Sequence, residues 1–287
     1  MRVGIGLPTM IPGAPAALVA PWARAAEAAG FASLGVHDRL AYDCLDPMLS
    51  LASAAAVTER IELATLVLIA PLRSAALLAR QAESLERLSS DRFTLGVGVG
   101  PREDDYRLAG QSWARRGATL DSHLDTLQQR WRADRVVVGG AGDVAYLRMA
   151  RWTAGYVHGG GSPRQFRSAV DRVLAAWSDL GRAGRPRIWG TGYFALGPNA
   201  RRHGMGDLVR YYGFLGSSAE AVAGAQLVAS EDEIAVYADG YRENGCDDLV
   251  LFPTIADRDQ LDRLADVVTR RCLVSGRGVA HESRVNE

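Results

Sequence analysis

Lysine is missing from this 287-residue chain: all 33 of its basic residues are arginine. A chain without lysine forms no Schiff base with a carbonyl substrate or with pyridoxal phosphate, and it has no P-loop lysine to offer a nucleotide. An excess of charge of either sign is missing too, because 33 acidic residues balance the arginines. That neutrality leaves no electrostatic footprint for nucleic acid or an anionic membrane, so a small molecule is the expected partner. Cysteine is scarce. Cys44, Cys246 and Cys272 are odd in number and widely spaced, which argues against a disulfide framework, a zinc ribbon and a redox dithiol, and fits a reducing cytoplasm. No apolar run reaches the roughly 18 residues of a membrane span. The amino-terminal Met1-Arg-Val-Gly-Ile-Gly-Leu7 opens directly on a strand pattern, without a charged region followed by an apolar signal core.

What the chain does have is alternation. Short β-branched or apolar runs lie at Arg2 to Leu7, Ser33 to Val36, Ile61 to Leu68, Arg92 to Val97, Arg135 to Val138, Gly155 to His158, Arg187 to Leu196 and Asp247 to Phe252. Segments of helical period fill the gaps: Ala16 to Ala29, Pro47 to Thr58, Ser74 to Leu88, Gly117 to Trp131, Asp143 to Trp152, Pro163 to Leu180, about Met205 to Asn244, and Asp257 to Cys272. Eight strands each followed by a helix predict a (β/α)₈ TIM barrel, whereas a doubly wound sheet usually needs fewer. The turn chemistry agrees: Gly30 and Gly245 follow helices as C′ glycines, and Ser162 before Pro163 reads as an N-cap. Gly197 to Gly216 is the least barrel-like stretch and is expected as an excursion above the rim. Residues 1–275 are read as one barrel domain and 276–287 as a loose tail.

In such a barrel the chemistry belongs at the carboxyl ends of the strands. Two glycine clusters fall there, Val136-Val-Val-Gly-Gly-Ala-Gly-Asp143 and His158-Gly-Gly-Gly-Ser-Pro163. Each is either a tight strand-to-helix turn or a cradle for an anion, and their occurrence on adjacent strands favours a phosphate site built from Gly139, Gly140, His158, Gly159, Gly160, Gly161 and Ser162. The usual barrel phosphate site follows strands seven and eight, so this location would be a departure. Gly98, in the loop after strand four, is placed to line a pocket. His37 and Asp38 end strand two, where a histidine beside a carboxylate suits general acid or base work. Alternation along a strand would turn only one of them to the barrel axis, and Asp38 has a structural alternative as the partner of Arg39 or Arg73. His123 is read as a surface residue of a helix. No histidine pair has metal-ligand spacing, so no metal site is predicted. Ser162 and the cysteines have no base at a recognisable spacing, which points to a bound cofactor as the source of reactivity.

The run Ala26-Glu-Ala-Ala-Gly-Phe-Ala-Ser-Leu-Gly-Val-His-Asp-Arg39 resembles the second-strand segment of the luciferase-like monooxygenase family. The resemblance continues through Thr58-Glu-Arg-Ile-Glu-Leu-Ala-Thr65, Pro71-Leu-Arg73, Leu78-Ala-Arg-Gln81, Leu85-Glu-Arg-Leu88 and Arg92-Phe-Thr-Leu-Gly-Val-Gly-Val-Gly100. It resumes at Arg116-Gly117, Val138-Gly-Gly140, Gly245-Cys-Asp-Asp-Leu-Val-Leu-Phe-Pro253 and Gln260-Leu-Asp-Arg-Leu264, so it spans nearly the whole chain. It implies a barrel that binds reduced FMN or the deazaflavin coenzyme F-420, with the ring across the mouth and the phosphate near the loops after strands five and six. It also implies a bulge with a non-prolyl cis peptide at Leu66 and Val67 against the ring, and a homodimer for which helices Pro47 to Thr58 and Ser74 to Leu88 are candidate contact surfaces.

Besides Leu66, which stands where many members of the family have glycine, three departures stand out. Arg39 replaces the histidine of a common Asp-His pair, Pro101 replaces a glutamate of some deazaflavin enzymes, and only three residues separate Trp131 from Arg135 where relatives insert a longer segment. The last implies a more open pocket, or one roofed by the Gly197 to Gly216 excursion. The leading expectation is an FMN-dependent monooxygenase using oxygen on a small organic metabolite, supplied with reduced flavin by a separate reductase, with Asp38 and Arg73 orienting substrate or shuttling a proton. The alternatives are a deazaflavin-dependent hydride-transfer enzyme and a barrel that has lost its chemistry and serves as a binding or partner subunit.

Overall fold

The structure is a computed structural model and describes residues 1–271. The apolar runs become parallel strands buried on both faces, as expected where helices cover the outside and side chains fill the inside. In chain order the elements are β1 (Arg2–Gly6), α1 (Val19–Ala28), β2 (Ser33–Val36), α2 (Pro47–Ala55), β3 (Glu62–Ile69), α3 (Ala75–Leu88), β4 (Phe93–Gly98), α4 (Glu103–Leu108) and α5 (Arg116–Arg130). Then come β5 (Val136–Gly139), α6 (Asp143–Trp152), β6 (Gly155–His158), α7 (Pro163–Asp179), β7 (Arg187–Phe194), α8 (Ala200–Tyr211), α9 (Ala219–Gln226), β8 (Leu227–Val228), α10 (Glu231–Glu243), β9 (Asp248–Pro253) and α11 (Asp259–Arg270).

Strands β1 to β7 pair in sequence, and β9 closes the barrel between β7 and β1. This is the expected (β/α)₈ barrel. The added strand β8 has two residues and pairs only with the upper end of β7, Tyr193 opposite Leu227 and Phe194 opposite Val228. Sequence periodicity merges everything from about Met205 to Asn244 into one helix. The chain instead forms α8, a 3-10 turn at Gly213–Ser218, α9, β8 and α10. The break has a local cause: Gly216 adopts φ +56°, and Ser230 starts α10 afresh by accepting the Glu233 N–H. Helix α4 also lies within a segment read as loop. The helix expected to end at Cys272, the boundary at residue 275 and the tail at 276–287 lie outside the described residues.

Capping follows the sequence. Asp46 accepts the N–H groups of Met48 and Leu49 at 2.9 and 3.0 Å ahead of Pro47. Ser162 and Gln165 form a reciprocal capping box ahead of Pro163. Gly30 and Gly245 take φ of +83° and +84° just past α1 and α10, which only glycine adopts without strain.

Two apolar layers result. The larger lies between barrel and helices, with Trp22, Phe93, Phe166 and Tyr241 fully buried. The smaller fills the lumen with Ala64, Leu66, Trp189, Val250 and Phe252, and Leu208 and Leu227 of the insertion after β7 join it from above. The lumen base is ionic. Arg187 binds Glu62 through both terminal nitrogens at 2.9 and 2.8 Å and Asp248 through Nε at 2.7 Å. Arg2 bridges the same two carboxylates from the other side.

Removing one guanidinium leaves two nearly buried carboxylates sharing the other. Arg187→Met is expected to cost about 2 kcal/mol, below the ~3–5 kcal/mol of a fully buried broken pair because Arg187 keeps some access to water. Urea unfolding at neutral pH measures this. A loss below about 0.5 kcal/mol, the scale of an ordinary surface change, would show that the cluster carries no stability.

Candidate functional site

The mouth at the carboxyl ends of the strands holds a cavity of about 520 Å³, within the ~300–1,000 Å³ usual for small-molecule sites. Its floor comes from the bulge in β3. Pairing with β4 shifts register between Thr65 and Leu68, and the Leu66–Val67 peptide is cis, at the two positions the sequence resemblance singles out. Across the bulge the Thr65 hydroxyl donates to the Gly96 carbonyl at 2.7 Å and accepts the Gly96 N–H at 2.9 Å. Val67 then lies against Gly98 and Gly139: a Cβ on either glycine would come within 2.8 Å of its methyl groups. Those positions are glycine because the floor occupies the space of their side chains.

The wall continues through Gly140, Tyr156, Val157, His158, Gly159 and Gly160. Gly140 takes φ +149° and its carbonyl accepts the Tyr156 hydroxyl at 2.7 Å. Gly160 and Gly161 take φ of +94° and +117°, turning the chain into α7. A Cβ on Gly159 would meet nothing within 4 Å, so this glycine borders open space. Gly161 and Ser162 lie behind this wall rather than on the cavity surface; the Gly161 carbonyl accepts the Tyr241 hydroxyl and Ser162 caps α7.

His37 and Asp38 both border the cavity, because β2 ends at Val36 and strict alternation ends with it. The His37 ring stacks on Phe252 with centroids 3.7 Å apart. Its Nδ1 lies 2.7 Å from the Leu66 carbonyl. A carbonyl only accepts, so Nδ1 carries the proton and Nε2 presents a lone pair, without a protein partner. Burial lowers the His37 pKa to about 4, assisted by the positive charge of Arg102 and opposed by the Leu66 hydrogen bond. Burial likewise lowers His158 to about 4, and its Nε2 is also without a partner.

Asp38 is 5 % exposed and fully engaged: Arg73 donates to both carboxylate oxygens at 2.6 and 3.1 Å, and the Ile69 N–H donates at 2.8 Å. Arg73 itself stands outside the cavity lining. Arg39 turns away to Asp105 at 2.7 Å and Asp104 at 3.1 Å, so this departure from the Asp-His pattern is absorbed by a structural ion pair. His123, read from sequence as a surface residue, is buried, with its ring nitrogens 2.7 Å from the Thr119 carbonyl and 2.8 Å from the Arg73 carbonyl. The sequence signal missed is long range: Arg73 comes from a loop 50 residues away.

The roof was one of two alternatives in the sequence, without its individual residues. Tyr211, Tyr212 and Phe214, from α8 and the turn after it, and Gln226 at the end of α9 complete the lining with Tyr193 and Arg102. The excursion after β7 therefore covers the pocket, which resolves the alternative left by the short Trp131–Arg135 connection. Burial raises the hydroxyls of Tyr193 and Tyr212 well above their ordinary range. Among the described residues no group of His, Cys, Asp and Glu is arranged to hold a metal ion, and no helix is long and apolar enough to cross a membrane.

The model of the luciferase-like monooxygenase family matches residues 1–245. The chain belongs to this family. An uncharacterised protein of Mycobacterium tuberculosis is 29 % identical, covering 56 % of this chain and 72 % of that protein. Among solved structures, an F420-dependent secondary alcohol dehydrogenase superposes with a TM-score of 0.79 at 13 % identity, covering 93 % of this chain and 98 % of the other. The monooxygenase RslO1 of Streptomyces bottropensis gives 0.75 at 19 % identity, covering 95 % and 99 %. The oxygenating component of 3,6-diketocamphane monooxygenase of Pseudomonas putida, in complex with FMN, gives 0.71 at 14 %, covering 94 % and 97 %.

The two depressed histidines make this family member's stability depend on pH. A histidine whose pKa falls from 6.5 to about 4 on folding binds fewer protons folded than unfolded between those values. Its contribution is complete above pH 6.5 and is lost as pH falls through 4, by at most about 3 kcal/mol per residue. The melting temperature is expected to drop from pH 7 to pH 4.5, and the drop to be shallower in His37→Gln and His158→Gln. Parallel pH profiles for all three proteins would contradict this assignment.

Proposed function

We propose that the chain is a flavin-dependent monooxygenase that binds reduced FMN across the barrel mouth and acts with oxygen on a small organic metabolite. The observation that carries this is the glycine wall: Gly98, Gly139, Gly140, Gly159 and Gly160 present backbone around the Leu66–Val67 floor, leaving a smooth-sided space that a planar ring system would fill. The unpartnered His37 Nε2, His158 Nε2 and Gln226 Oε1 are buried polar atoms for such a group to satisfy. The residues present thus fit a flavin.

When bound, reduced FMN would supply the electrons for oxygen activation. The protein's part is to hold the ring and keep the space dry. Leu66, Val67 and Val157 would support the ring, the Gly159–Gly160 backbone that borders the cavity would offer N–H groups to a phosphate, and the tyrosines overhead would shield the site from water. His37 Nε2 accepts a hydrogen bond from a substrate hydroxyl or from the ring. Asp38, Arg73 and Ser162 act as positioning residues: the Asp38–Arg73 pair fixes the loop after β2 against the end of β3, and Ser162 fixes the start of α7. A separate reductase would deliver the flavin.

Asp38 is the one carboxylate bordering the cavity among the described residues, and Pro101 stands where a glutamate occurs in some deazaflavin enzymes. That shortage of acid favours oxygen chemistry. A second reading, deazaflavin-dependent hydride transfer with F-420, is favoured by the unprotonated His37 Nε2, which is suited to take the proton of an alcohol as its carbon-bound hydrogen leaves as hydride. Titration with reduced FMN and with reduced F-420, followed by turnover with and without oxygen, separates them. The first reading expects FMN at micromolar affinity and oxygen dependence; failure to bind FMN sinks it.

Gly159 allows a test that leaves the fold alone. Its Cβ position borders open space, so Gly159→Leu is expected to project into the cavity, weaken FMN binding by at least about tenfold, which is ~1.4 kcal/mol, and leave the melting temperature within about 2 °C, less than ~1 kcal/mol produces. Unchanged FMN affinity would remove the glycine wall as the cofactor surface.

A further inference from the structure

We propose that Arg102 is the anchor for a carboxylate on the organic substrate; this rests on the reading of the cavity as a flavin or deazaflavin site. Arg102 follows β4, borders the cavity and is 5 % exposed. Its guanidinium carbon lies 4.2 Å from the centre of the Tyr211 ring and 4.3 Å from that of Phe214. Its protein hydrogen bonds are long, 3.3 Å to the Tyr211 carbonyl and 3.4 Å to the Tyr211 hydroxyl, and its Nε is buried with no partner.

This chain pairs the other arginines packed near the mouth with carboxylates. Arg39 has Asp105 at 2.7 Å and Arg73 has Asp38 at 2.6 Å. Arg102 has no carboxylate within 4.0 Å among the described residues. The rest of the lining offers it none: Asp38 is matched by Arg73, burial keeps His37 and His158 neutral at physiological pH, and burial keeps Tyr193 and Tyr212 protonated. Asp207 occupies a separate narrow pocket behind His37 and Tyr193. The cavity therefore carries one uncompensated positive charge. Aromatic contacts partly satisfy the guanidinium, while its N–H edge is the part that recognises a carboxylate in plane, as a fork. With Leu66, Val67 and Val157 given to the ring, the lining left to a substrate includes Ile69, Val99, Tyr212 and Phe214 and is largely apolar, so the matching substrate is an apolar or aromatic skeleton bearing one carboxylate.

The competing source of negative charge is the cofactor's phosphate, and the test separates the two. FMN-loaded protein is titrated with benzoate and hexanoate and with their neutral amides, read by perturbation of the flavin spectrum and by thermal shift. FMN and riboflavin affinities are measured alongside. Wild type is expected to bind the acids at least about tenfold more tightly than the amides. Arg102→Gln is expected to lose that preference, Arg102→Lys to keep part of it, and both to bind FMN and riboflavin within about twofold of wild type, a shift of under ~0.5 kcal/mol. Equal wild-type affinity for acid and amide, an undiminished preference in Arg102→Gln, or a selective loss of FMN over riboflavin in that variant overturns the proposal. If Arg102→Gln does not fold, the wild-type preference and its reduction in Arg102→Lys decide the matter. If wild type binds no flavin, the cofactor reading falls, and the acid and amide titrations on the flavin-free protein, read by thermal shift, judge Arg102 separately.

Discussion

The Thr65 hydroxyl, bonded to both the N–H and the carbonyl of Gly96, fixes the one irregularity on which the mouth of this barrel depends. A regular β3 would pair with β4 to its end. The register shift between Thr65 and Leu68 instead aims three groups at different neighbours. The Leu66 carbonyl meets His37 Nδ1 and so sets its tautomer; the Val67 side chain covers Gly98 and Gly139; and the Ile69 N–H binds Asp38. Floor, candidate base and positioning carboxylate thus share one cause. Gly96 belongs to it as well, since a Cβ there would come within 2.0 Å of the Thr65 carbonyl.

Around that floor the protein keeps ionisable groups uncharged or paired, with Arg102 the exception among the described residues. Burial holds the imidazoles of His37 and His158 neutral and the hydroxyls of Tyr193 and Tyr212 protonated. In a medium of low effective dielectric, stray charges would act strongly on any bound redox group. A lining with few charges therefore leaves the electronic character of the site to any group bound there and to the charge of Arg102. The ionic cluster of Arg2, Glu62, Arg187 and Asp248 sits at the opposite end of the lumen, with the apolar layer of Trp189 and Val250 between.

The barrel was legible because its signals are local. Ser33 to Val36 and Gly155 to His158 were readable to the residue, since each apolar run is bounded by a change in composition, and Ser162-Pro163 and Gly245 declare their own caps. Leu66 and Val67 were recognisable through family resemblance, not periodicity. Of the pairings across the fold, Asp38 with Arg73 was among the alternatives the sequence offered, and others failed to show. Nothing in the segment around His123 announces the Arg73 carbonyl, and Arg39 looked like a lost histidine rather than the partner of Asp105. The region from Met205 to Asn244 was misread because α8, α9 and α10 all have helical period, while the interruptions between them, Gly216 and the two-residue β8, are short.

That misread region decides the shape of the pocket. An insertion that merely crossed the mouth would leave Arg102 hydrated, where its charge would count for little. Here α8 inserts Leu208 into the lumen layer beside Phe252, and β8 pairs with the end of β7, so the roof is fastened before and after the Tyr211–Phe214 segment. The aromatic rings held between those fastenings dehydrate Arg102 and cover its faces. Charge therefore depends on roof and not the reverse: loosening the insertion admits water to the guanidinium, whereas Leu208 and the β7–β8 pairing hold the roof in place without it. The short Trp131–Arg135 connection needs no cover of its own, because the excursion after β7 already supplies one.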